Sequence, residues 1–302
     1  MFLFVALLLD GLFGEPKWLW SRFVHPAILM GKIIGWAEHK FNSGDKKKIK
    51  GSITVFVLCM FMVVIGIIVS KLPDFGIIQT LIAAILLAQK SLTQHVSAVA
   101  DALRLSTEDA RLSVACIVGR DTRDMDQTAI SRSAIESAAE NLSDGVVAPA
   151  LWFLLLGLPG LLVYKIINTA DSMIGYMSPK YREFGWAAAK LDDLLNWVPA
   201  RITALLILIT HNKLGAWRIV LRDAPLHRSP NAGWPEAALA VSLNIALSGP
   251  RSYDGKMCDY PYVNAEACHH LTADNIDLAV RALWRVWIAI VVISVLACLT
   301  WW

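Results

Sequence analysis

Long apolar runs without a charged residue constrain this chain more than any other feature. Gly51–Ser70 and Gly145–Tyr164 each contain twenty such residues, and Phe75–Gln89 forms a third run. About twenty apolar residues in a helix cross the hydrocarbon core of a bilayer, where only helices and closed barrels satisfy every backbone hydrogen bond. The runs therefore predict an all-α polytopic membrane protein with three to five transmembrane helices plus interfacial or re-entrant helices.

We predict a single integral membrane domain over residues 1–302. Its spans are 51–70, 75–95, 145–164, 195–212 and 284–302, and its polar loops are 10–50, 90–144, 165–194 and 213–283. The 195–212 span forms only if the bilayer tolerates Arg201. Lys and Arg concentrate in alternate loops, so the 10–50 loop is expected in the cytoplasm. A homo-oligomer is left open.

Composition narrows the class of protein further. Hydrophobic residues make up 56% of the chain and charged residues 18%, against about 25% charged in soluble domains. The net charge of +3 is too small for a nucleic-acid footprint, so no nucleic-acid partner is expected. Five cysteines without a C-x-x-C pair indicate neither a zinc ribbon nor a redox dithiol.

The 145–164 run contains helix breakers between Gly157 and Gly160, including Pro159. It is therefore expected to be broken or re-entrant at 157–160. Asp144 and Asp171 would lie about 40 Å apart on one straight helix, which is longer than the bilayer core. They share a metal only if this segment bends. We predict the bend, with the site at the cytoplasmic membrane interface.

Two polar patterns lie before the break. Arg120 and Arg123 flank the start of a predicted helix, where free N–H groups and the helix dipole favour a phosphate; a capped surface helix is the alternative. Glu136, Glu140 and Asp144 follow at helical spacing. Such carboxylates suit Mg²⁺, or else form a solvated helix face.

Four further patterns lie in the other polar loops. Each pattern has two interpretations, a binding site or a structural role. The structural role is local packing for His25 and interhelical hydrogen bonding for the group around Asn168. It is an exposed helix start for Asp192 and Asp193, and a linker for the group that begins at His227. The residues are His25 in the N-terminal loop; Lys165, Asn168 and Asp171 after the broken run; Asp192 and Asp193; and His227, Arg228, Asn231 and Trp234.

These patterns occur within longer motifs that resemble one known family, adenosylcobinamide-phosphate synthase (cobalamin biosynthesis protein CbiB/CobD). The resemblance runs almost end to end and keeps the motif order. The motifs are D-G-L-F-G-E-P at 10–16, H-P-A-I-L-M-G at 25–31, G-R-D-T at 119–122, E-S-A-A-E-N-L-S-D-G-V-V-A-P at 136–149, N-T-A-D-S-M-I-G-Y at 168–176, K-L-D-D-L-L-N at 190–196 and H-R-S-P-N-A-G-W-P-E-A-A at 227–238.

The resemblance implies a multi-pass inner-membrane enzyme of bacteria or archaea, with its active site facing the cytoplasm. It implies amide-bond formation between adenosylcobyric acid and (R)-1-amino-2-propanol O-phosphate, with ATP as co-substrate and Mg²⁺. The expected partners are these two substrates and the lipid bilayer. A membrane transporter or a non-catalytic membrane sensor on the same scaffold is the alternative.

With this chemistry, each candidate residue receives an expected role. The expected catalytic residues are Glu136, Glu140 and Asp171. The residues expected to contact phosphate or ATP are Arg120, Arg123 and Lys165. Substrate contacts fall to His25, Asn168, His227, Arg228, Asn231 and Trp234. The expected metal ligands are Glu136, Glu140, Asp144, Asp171, Asp192 and Asp193.

Overall fold

The computed structural model describes residues 2–253 and 255–300. Over this part of the chain it has fourteen α-helices and four short strands. The helices are α1 (Phe2–Phe13), α2 (Lys17–Trp20), α3 (Pro26–Phe41), α4 (Lys47–Ser70), α5 (Ile77–Leu86), α6 (Gln89–Leu105), α7 (Thr107–Ala115), α8 (Gln127–Leu142), α9 (Ala148–Ile174), α10 (Trp186–Leu195), α11 (Trp197–Thr210), α12 (Trp217–Asp223), α13 (Gly233–Leu243) and α14 (Ala273–Thr300). The strands are β1 (Leu247–Ser248), β2 (Arg251–Tyr253), β3 (Lys256–Cys258) and β4 (Tyr262–Val263). A π-helical turn, Ser143–Val147, joins α8 to α9.

The helices confirm the predicted class, an all-α polytopic membrane protein. Four helical segments in the described residues are long and apolar enough to cross a membrane, and a fifth counts if α10 and α11 form one bent span. The four are Lys47–Ser70, Ile77–Leu105, Gln127–Ile174 and Ala273–Leu299. The last two residues of the predicted 284–302 span lie outside the described residues.

Three breaks interrupt these apolar segments. Leu87 is extended and separates α5 from α6 inside the predicted 75–95 span. Gly157 has a φ of 64° and a ψ of −155°, and it kinks α9 within the predicted break. The axes of α10 and α11 differ by 41°. A glycine tolerates positive φ without a steric penalty, which explains why the kink in α9 lies there.

The chain divides into two compact units. The first unit holds the residues up to Ala88, Ala148–Asn196 and the end of α14 from Ser294. The second unit holds Gln89–Val147 and Trp197–Ile293. The predicted meeting of Asp144 with Asp171 would join the two units, and it stays a prediction, as does the single domain.

Within the first unit, α4 packs along α9, and α3 and α10 pack against α9 as well. Helices α4 and α9 come very close to each other at Gly66. A Cβ atom there would lie 2.5 Å from Cα and 2.7 Å from N of Pro159, which is closer than real side chains come. The absence of a side chain at Gly66 therefore permits this helix contact.

Within the second unit, α8 lies between α6, α7 and α13, while α11 packs on α13. Ten of the sixteen residues of α8 are buried, and among them are Ser131, Ser133, Glu136 and Ser137. Strand β1 pairs with β4, and β2 pairs with β3, in two antiparallel ribbons. Buried polar groups need partners, so the loops and ribbons around α8 must supply them.

Substitution Gly66→Ala tests the helix contact in the first unit. The added methyl group collides with the backbone of Pro159, so we expect a loss of about 1–3 kcal/mol in the free energy of unfolding. The thermal unfolding midpoint in detergent measures it. Gly215→Ala is the control, because a Cβ atom there meets nothing within 4 Å. Equal midpoints for the two variants would contradict the contact.

Candidate functional site

A buried carboxylate, Glu136 on α8, is the centre of the polar residues in the second unit. Glu136 is 1% exposed. Oε1 accepts the backbone N–H of Ser248 at 2.7 Å. Oε2 accepts Nη2 of Arg120 at 2.7 Å and Nη1 of Arg251 at 3.3 Å. Two guanidinium charges thus face one carboxylate charge. We call these four residues the arginine–glutamate cluster.

One face of α8 holds the segment that carries Arg120. The hydroxyl of Ser137 donates to the carbonyl of Ile117 at 2.7 Å. Nη1 of Arg120 lies 3.3 Å from the hydroxyl of Ser133. Positions 133, 136 and 137 share one helix face, so the helical spacing itself brings these three side chains to one segment.

Asp121 ties the same segment to the β2–β3 hairpin. Its Oδ2 accepts the N–H of Gly255 at 2.7 Å and the hydroxyl of Ser252 at 2.9 Å. These two hydrogen bonds, from Gly255 first, lower the pKa of Asp121. Asp121 follows Arg120 and Ser252 follows Arg251, so this link brings both arginines to Glu136.

A tight turn presents the third partner of Glu136. Ser248 has a φ of 61° and Gly249 a φ of 81°. Positive φ is unusual for serine, and here it accompanies the hydrogen bond from the Ser248 N–H to Glu136. The Ser248 hydroxyl accepts Nη2 of Arg251 at 2.6 Å. Among the described residues, Nε of Arg251 is buried without a hydrogen-bond partner.

His227 and Glu236 form a buried pair beside the cluster. Nδ1 of His227 accepts the N–H of Ser229 at 3.0 Å, and Nε2 lies 3.5 Å from Oε1 of Glu236. In a neutral ring this leaves the proton on Nε2, facing Glu236. Oε2 of Glu236 is buried and has no hydrogen-bond partner within the described chain.

The surroundings disfavour the charged form of both members of this pair. Burial, and next the charge of Arg251, lower the pKa of His227 to about 4. Burial raises the pKa of Glu236 well above its usual range, and the carboxylates of Glu136 and Glu140 raise it further. At neutral pH, His227 therefore lacks its second proton, and Glu236 is stabilised in its protonated form.

Stacked aromatic rings hold the loop that contains the pair. The guanidinium group of Arg201 lies 4.3 Å from the ring centroid of Trp197 and 4.4 Å from that of Trp234. It also donates to Oδ1 of Asn231 at 3.4 Å. Asn231 and Trp234, both predicted substrate contacts, thus fix the loop in place, whereas Arg228 is exposed.

The first unit holds a different polar cluster, built on Asp192. Its Oδ1 accepts Nδ2 of Asn168 at 3.2 Å, and its Oδ2 accepts Nδ2 of Asn196 at 3.0 Å. Tyr164 donates to Oδ1 of Asn196 at 3.0 Å. These contacts favour interhelical hydrogen bonding, the structural alternative for Asn168. Asp192 is half-buried in the same contacts, whereas its own structural alternative was an exposed helix start. The neighbouring Asp193 pairs with Lys190 at 3.2 Å.

The other predicted residues of the first unit are His25, Lys165 and Asp171. His25 caps α3, because its Nδ1 accepts the N–H of Ala27 at 3.1 Å. Burial lowers the pKa of His25; Glu15 raises it, and Lys165 lowers it. Lys165 and Asp171 are half-buried on α9. The carboxylate of Asp171 folds back over Gly175, where no side chain would fit.

The predicted metal ligands do not gather into one set. Glu140 is exposed and Asp144 is half-buried. In the described residues, no three His, Cys, Asp or Glu side chains form a group that could hold a metal ion. Both oxygens of Glu136 are already in hydrogen bonds, which favours a positioning role over metal ligation. Arg123 is exposed and is not one of the four residues of the arginine–glutamate cluster.

Three residues of the site were not predicted from sequence patterns: Arg251, Ser248 and Glu236. Arg251 lies in a stretch with no helical period, 115 residues after Glu136. The signal that could have found it is S-G-P-R at 248–251, a turn sequence that ends in a basic residue. Glu236 lies inside the motif at 227–238. A carboxylate that follows His227 so closely, on an otherwise apolar helix, was a second available signal.

The lowered pKa of His227 predicts acid sensitivity. Its pKa is about 4 in the folded state and 6.5 in the unfolded state. Below pH 6.5 the unfolded chain binds the extra proton first, so stability falls by about 1.4 kcal/mol per pH unit until about pH 4. Unfolding measured at pH 7.5 and 5 should show a smaller loss for His227→Gln than for the exposed control His270→Gln. Equal losses would contradict the assignment.

Comparisons with known proteins show the family. The family model described as CobD/Cbib protein matches residues 3–283. A cobalamin biosynthesis protein CobD from Sinorhizobium fredii is 46% identical over 299 residues, covering 94% of this chain and 92% of its own. The protein of that name from Brucella anthropi is 48% identical over 297 residues (93% and 91%), and that from Rhodobacter capsulatus 42% over 277 residues (89% and 88%). No solved structure matches the chain. The chain belongs to the CobD/CbiB family and acts in cobalamin biosynthesis.

Proposed function

We propose that this protein joins aminopropanol phosphate to the propionate side chain of adenosylcobyric acid through an amide bond, with ATP activating the carboxylate. Cobalamin biosynthesis is the role of the family. The observation that carries the finer proposal is the arginine–glutamate cluster, which concentrates positive charge next to a protonatable carboxyl group. Both features are needed by a reaction that activates an acid with phosphate and then admits an amine.

The cluster suits a phosphate group. A carboxylate and an amine do not condense readily in water, whereas an acyl phosphate has a good leaving group. Transfer of the phosphoryl group develops negative charge, which guanidinium groups stabilise through paired N–H donors. Nε of Arg251 is buried without a hydrogen-bond partner among the described residues, so it can donate to a phosphate oxygen. Glu136 holds both guanidinium groups in position, so it acts as a positioning residue.

Glu236 suits the proton transfer. An amine attacks the acyl phosphate only after its ammonium form has lost a proton. A general base works best when its pKa lies near the working pH. Burial and the neighbouring carboxylates raise the pKa of Glu236 toward that range, and its Oε2 is available for a proton. We assign the acceptor role to Glu236 rather than to His227, whose pKa of about 4 makes it a weak base.

Two further predicted carboxylates of the second unit, Glu140 and Asp144, fit a Mg²⁺ that arrives with ATP. Mg²⁺ in nucleotide sites takes one or two carboxylates together with phosphate oxygens and water. Glu140 and Asp144 lie about one turn apart and are accessible, so they would hold it. The ion would neutralise phosphate charge during activation. Three other expected ligands, Asp171, Asp192 and Asp193, lie in the first unit and remain a proposal.

We also propose an inner-membrane location with the active site facing the cytoplasm. The supporting pattern is the lysine run Lys46–Lys48 at the start of α4, since Lys and Arg favour the cytoplasmic side of a span.

Product formation tests the proposal. Purified protein in nanodiscs receives adenosylcobyric acid, aminopropanol phosphate and Mg²⁺, with and without ATP. We expect a product heavier by aminopropanol phosphate minus water, formed only with ATP, in mass spectra. Transport of a corrinoid without product would favour the transporter alternative. Corrinoid binding without product or transport would favour the sensor.

The same assay tests Arg251. Arg251→Ala should lower kcat/KM by about 10²–10³-fold, the typical cost of one charge-stabilising donor. Arg251→Lys should recover only part of it, because lysine lacks the forked donors. The exposed Arg218→Ala is the control, with an expected change under about twofold. Arg120 still pairs with Glu136 in Arg251→Ala, so an unchanged thermal unfolding midpoint separates lost catalysis from lost folding. Full activity in a folded Arg251→Ala protein would exclude Arg251 from the site.

Substitution Glu236→Gln tests the proton acceptor. We expect kcat/KM to fall by about 10²–10⁴-fold, the usual contribution of a general base. The remaining activity should lose the acid limb of the pH–rate profile, since glutamine does not titrate. The exposed Glu266→Gln should keep both rate and profile. An unchanged acid limb in Glu236→Gln would assign the proton transfer to another group.

A further inference from the structure

A deep apolar groove in the first unit is not used by the proposed reaction. It lies among α4, α9 and α10 and has a volume of about 640 Å³. Its lining includes Phe56, Cys59, Val163, Ile167, Leu191 and Leu195. The lining is therefore almost wholly apolar, and an apolar ligand is the class that it would take.

The groove opens on a surface that faces lipid. Helix α4 is the most apolar of the four candidate spans. Next to the groove, Ile53, Val57 and Met60 on α4 are exposed by 58%, 57% and 45%. In a membrane, such a surface contacts acyl chains rather than water. The environment of the groove is thus hydrocarbon.

Positive charge borders the groove at the start of α4. Lys190 lines it together with Ser52 and Trp186. Nζ of Lys48 lies 3.9 Å from the ring centroid of Trp186, and the carbonyl of Lys48 accepts the hydroxyl of Ser52. Two ammonium groups therefore belong to the rim of an apolar groove, and because Asp193 pairs with only that of Lys190, at 3.2 Å, these three side chains keep a net positive charge. Headgroups of anionic lipids attract lysines at this position of a span.

We propose that the groove binds one acyl chain of an anionic phospholipid whose phosphate contacts Lys48 and Lys190. A neutral lipid would fill the apolar part and make no use of the two cations. A second copy of this chain would have to present an apolar segment beside an acidic group. The combination of lipid exposure, apolar lining and two rim lysines matches an acyl chain below a negative headgroup.

Photo-crosslinking tests the site with the full chain in nanodiscs. The probe is a phosphatidylglycerol analogue with a diazirine in one acyl chain, and the comparison is phosphatidylcholine with the same chain. We expect adducts on peptides that contain 52–59 and 186–195, with phosphatidylglycerol favoured about tenfold. Equal labelling by both lipids, spread over every span, would identify ordinary boundary lipid and overturn the proposal.

Matched variants separate the groove from its surroundings. Ser52→Phe fills the groove and should lower the adduct yield at least about fivefold, while Ile53→Phe places the same ring on the outer face and should leave it unchanged. Lys48→Gln and Lys190→Gln should each lower phosphatidylglycerol retention about fivefold in native mass spectra, without an effect on phosphatidylcholine. Lys71→Gln is the control.

Folding and oligomeric state complete the test. Unfolding midpoints of Ser52→Phe and Ile53→Phe must agree before their yields are compared. A dimer whose chains crosslink through α4 and α10, with lipid excluded, would overturn the proposal in favour of a second copy. Retained labelling in a folded Ser52→Phe protein would also overturn it. None of these results depends on amide formation, so the lipid site and the synthase proposal fail separately.

Discussion

The cost of burying a charge organises the second unit. Removal of one partner from a buried ion pair typically costs about 3–5 kcal/mol, because the remaining charge keeps its desolvation penalty. Glu136 meets this requirement with partners from two separate segments, one with Arg120 and one with Ser248 and Arg251. Each segment would otherwise be an irregular polar loop. The buried carboxylate thus fixes loops that secondary structure alone would leave unplaced.

The same charges determine the protonation of the neighbouring pair. Positive charge on Arg251 disfavours a second proton on His227, and negative charge on Glu136 disfavours the ionised form of Glu236. Burial acts in the same direction on both groups. A histidine and a glutamate in contact usually form an ion pair, whereas here each is favoured in its neutral form. The cluster therefore raises the pKa of a carboxyl group that lies beside two guanidinium groups.

The sequence predicts the fold class well, because lipid imposes simple rules on length and polarity. The runs at 51–70 and 145–164 lie within the helices Lys47–Ser70 and Gln127–Ile174, and Gly157 kinks α9 inside the predicted 157–160 segment. Local glycine and proline chemistry is sufficient for such an inference. The position of a loop side chain in space is not a local property.

The candidate site shows where that limit lies. Arg120 and Glu136 were both selected, but their pairing depends on how α8 faces the 117–120 segment. Glu136 and Glu140 were expected on one stripe with Asp144, yet Glu136 is buried and Glu140 is exposed. Equal spacing along a helix does not determine burial when several elements cover that helix. Arg251 had no periodic pattern to mark it, and only tertiary contact with Glu136 identifies it.

A buried guanidinium donor without a partner is itself an argument for function. A structural ion pair is most stable when all of its donors are used. In the arginine–glutamate cluster, both guanidinium groups contact Glu136, yet Nε of Arg251 is buried and lacks a hydrogen-bond partner among the described residues. An incoming phosphate would supply the missing acceptor. This unused donor therefore fits the proposed phosphate chemistry better than a purely structural ion pair.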